Sequence, residues 1–161
     1  MKTLVAGVGN VLLGDDGFGV EVVRALAGRS LPADVRLADF GIRGLDLTYA
    51  LLDGYDAAII VDVACRGGAP GTLYVIAPAL GDDVPPAGFE PHAMHPARVL
   101  AALRGMGASP VTVRVVGCEP GKIDEEDLHM GLSDAVAAAV DPAVALVESL
   151  LAELGRDSAH A

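Results

Sequence analysis

The sequence predicts an α/β fold, one layered domain built on a mainly parallel sheet. Three observations carry this. Short Val/Ile/Leu runs alternate with longer amphipathic segments along the chain. The runs are nearly continuous in apolar residues, as strands covered on both faces should be. The 161 residues are enough for one substantial core and short for two.

The first run, residues 3–8, leads into the turn Gly7-Val8-Gly9-Asn10. Residues 19–27 then read as a helix closed by Gly28, residues 35–39 as the second strand, and 45–52 as a helix ahead of Gly54. The third strand is 58–63. A further run, 72–76, is separated from it only by the Gly- and Pro-containing stretch 64–71, too short for a helical crossover, so an antiparallel pair is expected there. Residues 77–91, rich in Pro, Gly and Asp, read as a long surface loop, and such loops inside compact domains are often functional. Pro96 opens a helix over 96–106, where a first turn tolerates a missing N–H, and Gly107 follows it. The last strand is 111–116. Helices over 134–139 and 142–154, the second with Asp141 as N-cap, complete the chain. Residues 1–155 thus form one domain and 156–161 a flexible tail.

Composition narrows the function. Hydrophobic residues make up 52% of the chain and aromatics 4%, with no Trp, so the core must be built from Ala, Val, Leu and Ile. The formal charge is -11 with no Lys/Arg cluster, which argues against nucleic acid and anionic membrane as partners. The first apolar run lacks the basic leader and cleavage site of a secretory signal, and no uncharged apolar run of roughly 18 residues suggests a membrane span, so the expected compartment is the cytoplasm. Cys65 and Cys118 show no CxxC spacing and fit a reducing compartment, although sequence leaves a disulfide open.

The strongest local signal is Gly7-Val8-Gly9-Asn10 followed by Asp15-Asp16-Gly17 and Gly19. The dinucleotide pattern G-x-G-x-x-G fails because Leu12 takes the third glycine's place, and two adjacent carboxylates would repel a pyrophosphate. A cation is the better guest. Asp16 after the first strand, Asp62 near the end of the third and His92 before the helix at Pro96 are expected at the carboxyl edge of the sheet, where sites form in open α/β folds. Two carboxylates and an imidazole with open coordination positions suit a divalent metal such as nickel or zinc.

The same stretches resemble the nickel-iron hydrogenase maturation protease family, over nearly the whole chain. The opening glycine turn with Asp15-Asp16-Gly17 looks like the family's signature. Ile59-Ile60-Val61-Asp62, Pro91-His92 ahead of Val99-Leu100, Val116-Gly117-Cys118-Glu119-Pro120 and Met130-Gly131-Leu132-Ser133 add to it. The resemblance implies a single three-layer α/β/α domain with a five-stranded, mostly parallel twisted sheet and one antiparallel strand. It implies an endopeptidase that clips a C-terminal extension from a hydrogenase large-subunit precursor after nickel insertion. Asp16, Asp62 and His92 map onto the family's metal-binding residues, here assigned both metal and catalytic roles. The nickel is then that of the substrate, no nucleotide cofactor is expected, and the protein is expected to be a monomer.

Plainer roles compete. Asp15 is assigned to capping the following helix, where an acid is worth about 0.3–1 kcal/mol, and Asp16 to the ligand set. Asp62 could form a turn, but a carboxylate directly after Ile59-Ile60-Val61 favours function. His95 rivals His92, which is preferred on motif alignment. His129 and His160 fall outside any constellation and are expected to be solvated. Asp39 and Glu119 are each open between a cleft and a turn. None of the five serines lies in a G-x-S-x-G elbow. Cys65 is expected to be a buried small hydrophobe rather than a nucleophile. Gly7, Gly9 and Gly17 are expected to let the loop approach metal or substrate. Two other function classes stay open: an escort module that binds the loaded large subunit without cutting it, and a small nucleotide-binding oxidoreductase that NAD or NADP would stabilise.

Overall fold

In a computed structural model, residues 1–78, 96–121, 123, 126 and 128–160 are described. The apolar runs assemble into β1 (Thr3–Val8), β2 (Val35–Gly41), β3 (Ala57–Val63), β4 (Leu73–Ile76) and β5 (Thr112–Cys118), in the sheet order β2-β1-β3-β5-β4. The β1–β2, β1–β3 and β3–β5 pairs are parallel and β4–β5 is antiparallel. β4 is therefore the antiparallel strand, as expected, but its partner is β5 and not β3. The 64–72 connection reverses the chain and steps over one strand spacing, leaving the place beside β3 to β5.

Helices α1 (Phe18–Leu26) and α5 (Val140–Ala159) cover one face, and α2 (Gly44–Leu51) and α3 (Pro96–Gly105) the other, with short α4 (Asp134–Ala137) before α5. Alternation along the strands divides the core accordingly. Val5, Ile59, Val61 and Val116 pack with Phe18, Val22, Leu26, Val144 and Val147, whereas Leu4, Ala6, Ile60 and Val115 pack with Leu47, Leu51, Val99 and Leu103. Each large side chain so buried contributes about 1.5–3 kcal/mol. Phe18, the first residue of α1, is wholly buried and pins that end of the helix to the sheet.

The close approach of α1 depends on glycine. A Cβ on Gly19 would collide with the carbonyl oxygens of Val8 and Val61, and one on Gly7 would stand 2.5 Å from the Gly19 carbonyl oxygen. Gly7 thus serves helix-on-strand packing rather than approach to a metal or substrate, because its Cα faces α1.

Both ends of α5 extend beyond the expected 142–154. α5 begins at Val140, so Asp141 and Pro142 both lie in its first turn and Asp141 is not the N-cap. α5 also continues to Ala159, through most of the stretch set apart as a tail. Residues Asp134–Ala159 are long and apolar enough to cross a membrane by length and composition, with a mean hydropathy of 1.7 in the best window. Their apolar stripe, Ala143, Val144, Val147, Leu150 and Leu154, is packed on the sheet.

β1 lies between β2 and β3, and the chain leaves β1 and β3 in opposite directions across the sheet. The loops following these two strands separate at the carboxyl edge, and the crevice between them is where open α/β sheets place their ligands.

Candidate functional site

The loop leaving β1 is folded back on itself. Gly9 donates its N–H to the Gly41 oxygen at 2.9 Å, tying the loop to the end of β2, and Leu13 donates to the Asn10 oxygen at 3.1 Å. A 3-10 turn over Gly14–Gly17 follows and leads directly into α1. Within it Asp16 is half-buried, and its Oδ2 accepts the Asn10 N–H at 2.8 Å.

Asp62 reaches the same place from β3, where it pairs in register with Gly117 and accepts the Val63 N–H at 2.7 Å. Gly9 separates the two acids. A Cβ there would run into the Asp16 carbonyl oxygen and stand 3.8 Å from Asp62 Oδ1. Burial pushes the Asp62 carboxyl well above its usual range; the Val63 N–H opposes the shift and the Asp16 charge adds to it. Two acids so placed repel, and a cation between them would relieve that cost, so the donor set fits a hard or borderline divalent metal. The third expected ligand, His92, lies outside the described residues, as does His95. Among the described residues no group of three or more His, Cys, Asp or Glu side chains is arranged to hold a metal.

Asp15 does not cap α1. The N-cap is Gly17, which makes no side-chain bond, and the Asp15 side chain turns inward. Its Oδ1 accepts the Ser133 N–H at 2.7 Å, while Oδ2 accepts the Ser133 hydroxyl at 2.9 Å and the Gly121 N–H at 2.8 Å. His129 is exposed, as expected, yet it joins this region. Its backbone forms a parallel bridge with Leu13, its carbonyl accepts the Gly14 N–H at 2.9 Å, and it lines an open pocket of about 230 Å³ with Asp15, Met130, Gly131, Leu132 and Ser133. Sequence reasoning missed this assembly. The only signal for it was the Met130-Gly131-Leu132-Ser133 stretch, which carries no chemistry of its own until it is set against Asp15.

Asp39 and Glu119 both accept hydrogen bonds from backbone N–H groups. Asp39 accepts the Gly41 N–H at 2.8 Å and shapes the end of β2. Glu119 is buried and accepts the N–H groups of Arg66 at 2.8 Å and Gly67 at 3.1 Å and the Tyr74 hydroxyl at 2.9 Å, which fastens the loop after β3. The Arg66 N–H bond leads in holding the Glu119 carboxyl below its ordinary range, against burial, with Tyr74 and the Gly67 and Gly68 N–H groups assisting. Cys65, expected to be buried, is exposed, because the loop after β3 turns away from the core; Cys118 is buried, and the two form no disulfide. Burial, with the Asp15 charge adding, pushes the Cys118 thiol up to about 11, which leaves it protonated at neutral pH. Gly17 lies 3.1 Å, by the Cβ it lacks, from the Val11 Cα, so it closes the loop on itself.

Known proteins resemble the chain in sequence and in fold. The family described as hydrogenase maturation protease matches residues 20–150. The chain is 37% identical to the Hydrogenase 2 maturation protease of Escherichia coli K12, over 96% of this chain and 93% of that one. It is 38% identical to the hydrogenase expression/formation protein HupD of Rhodobacter capsulatus, over 89% and 68% of the two chains. Among solved structures, the hydrogenase maturating endopeptidase HybD from Escherichia coli superimposes with a TM-score of 0.81 at 36% identity, covering 96% of this chain and 94% of that one.

Proposed function

The chain belongs to the hydrogenase maturation protease family, and from that premise we propose that it removes a C-terminal extension from the nickel-loaded large subunit of a nickel-iron hydrogenase. A peptidase acting in hydrogenase maturation is what the family and the endopeptidase fold support directly. One observation supports the finer reading: Asp16 and Asp62 lie on either side of Gly9 at the carboxyl edge of the sheet, so close that a Cβ on Gly9 would meet the Asp16 carbonyl oxygen and stand 3.8 Å from Asp62 Oδ1.

In this reading nickel arrives as part of the substrate, and Asp16, Asp62 and His92 are its donors on the enzyme. Asp16 is held ready by the Asn10 N–H and Asp62 by the Val63 N–H. Asp62, buried, keeps a proton to a higher pH than an ordinary aspartate, and would have to give it up to hold a cation. Bound there, the metal would supply Lewis-acid chemistry, polarising the scissile carbonyl or activating water. Hydrolysis then adds water across the peptide bond, the oxygen to the carbonyl carbon and a proton to the leaving amine.

The test is the intact mass of a nickel-loaded large-subunit precursor incubated with the protein, beside a nickel-free precursor. Loss of a C-terminal peptide from the loaded form alone is expected. Equal cleavage of both forms would remove nickel from the reading, and complex formation without any loss of mass would replace the peptidase with an escort.

A further inference from the structure

We propose that Asp15 is the positioning residue of this site: clamped to Gly121 and Ser133, its carboxylate fixes the 3-10 turn that presents Asp16. The proposal rests on the reading of Asp16 as a metal donor.

Asp15 is 4% exposed, and its two oxygens take three donors from positions 106 and 118 residues further along the chain. A carboxylate that accepts only N–H and O–H groups makes charge-assisted bonds, shorter and stronger than neutral ones. In a 3-10 turn successive side chains diverge by about a third of a turn. With Asp15 drawn inward, Asp16 is directed away from the clamp, towards Asn10 and Asp62. The turn has no side-chain cap and ends at α1, whose own position is set by the Gly19 contact with Val8 and Val61. The clamp therefore holds a short segment whose far end is closely packed on the sheet, so a change at Asp15 falls first on the turn itself, where Asp16 sits. Fit around the carboxylate is close: a Cβ on Gly121 would lie 3.0 Å from Asp15 Oδ2 and 3.8 Å from Ser133 Oγ.

Replacing Asp15 with Asn keeps the shape but sets an NH₂ group against the Gly121 or Ser133 donors, so the turn must rotate. The experiment titrates nickel(II) alone into wild type, Asp15→Asn, Ser133→Ala, Gly121→Ala and Asp16→Ala by calorimetry, with Tm measured on each and kcat and KM on the loaded precursor. Loss of a partner that orients a metal donor typically costs about 10- to 100-fold in affinity or activity. That loss is expected for Asp15→Asn, with Gly121→Ala in the same direction, Ser133→Ala smaller, and kcat falling more than KM rises. Wild-type nickel affinity in a folded Asp15→Asn protein of lowered Tm would reduce Asp15 to a structural anchor. Should Asp15→Asn fail to fold, wild-type affinity in both Ser133→Ala and Gly121→Ala overturns the proposal equally. Asp16→Ala separates the two ideas: if it keeps nickel affinity, the metal reading falls and the positioning role with it, whereas loss there alone overturns only the clamp.

Discussion

Gly9 is packed against the backbone of Asp16 so closely that no side chain fits between them, and Asp62 Oδ1 lies just beyond, 3.8 Å from where a Cβ would stand. Gly9 also has φ +134°, a region that L side chains rarely adopt. One small residue thus allows the loop after β1 to fold back until its acid meets the acid of β3.

Gly9→Ala is accordingly expected to break the site. The strained φ alone costs about 1–3 kcal/mol, and the collision with the Asp16 carbonyl adds to it. A Tm fall of about 2–4 °C per kcal/mol is anticipated for a domain of this size, together with loss of precursor processing. Parental Tm and parental cleavage would show that the loop can relax around the new methyl group.

Asp62→Asn should separate stability from function. The folded-state pKa of Asp62 is raised above its ordinary 3.8, so the folded chain binds more protons than the unfolded one and stability falls as pH climbs through that window. The asparagine variant lacks this cost and can still accept the Val63 N–H. It is predicted to melt higher than wild type at pH 7–8, with the gap closing towards pH 4, while processing drops by about 100-fold or more, in line with loss of a group acting in the reaction. Thermal melts across pH, paired with cleavage assays, check both halves; a gap that widens on acidification contradicts the first.

Glu119 should behave in the opposite sense. Its folded-state pKa is lowered, so its stabilisation is present above its ordinary value near 4.5 and is lost as pH falls through the lowered one. Glu119→Gln is expected to reduce Tm by a few degrees at neutral pH, with the difference from wild type shrinking in acid, because the amide cannot accept from Arg66, Gly67 and Tyr74 as a carboxylate does. A pH-independent difference would assign the loss to packing alone.

Cys65→Ala tests the thiol alternative. Cys65 is exposed and only three residues from Asp62, yet no part of the proposed chemistry uses it. The variant should cleave precursor within about twofold of the parental rate, consistent with a change at an exposed side chain that the proposed chemistry does not use. A loss of 100-fold or more would move the reaction to a cysteine nucleophile.

Much of this was legible in sequence because it is local. Apolar runs with short connections gave five strands, and two of the glycines placed after helices, Gly54 and Gly107, do adopt positive φ. The partner of β4 was not legible, since β5 enters beside β3 from nearly fifty residues downstream. Nor was the depth of Cys65, which depends on where the loop after β3 is fastened by Glu119, again a distant residue.

The sequence by itself determined the layered α/β class and the family, because periodicity, turn chemistry and residue type act over a few neighbouring positions. Tertiary structure decided what each acid of the Asp15-Asp16 pair does. Adjacent in the chain and identical in chemistry, they differ only in direction: one meets Gly121 and Ser133 in the interior and the other faces Asp62 across Gly9. No local rule distinguishes them, since hydrogen bonds across more than a hundred residues exist only once the sheet and its loops have closed.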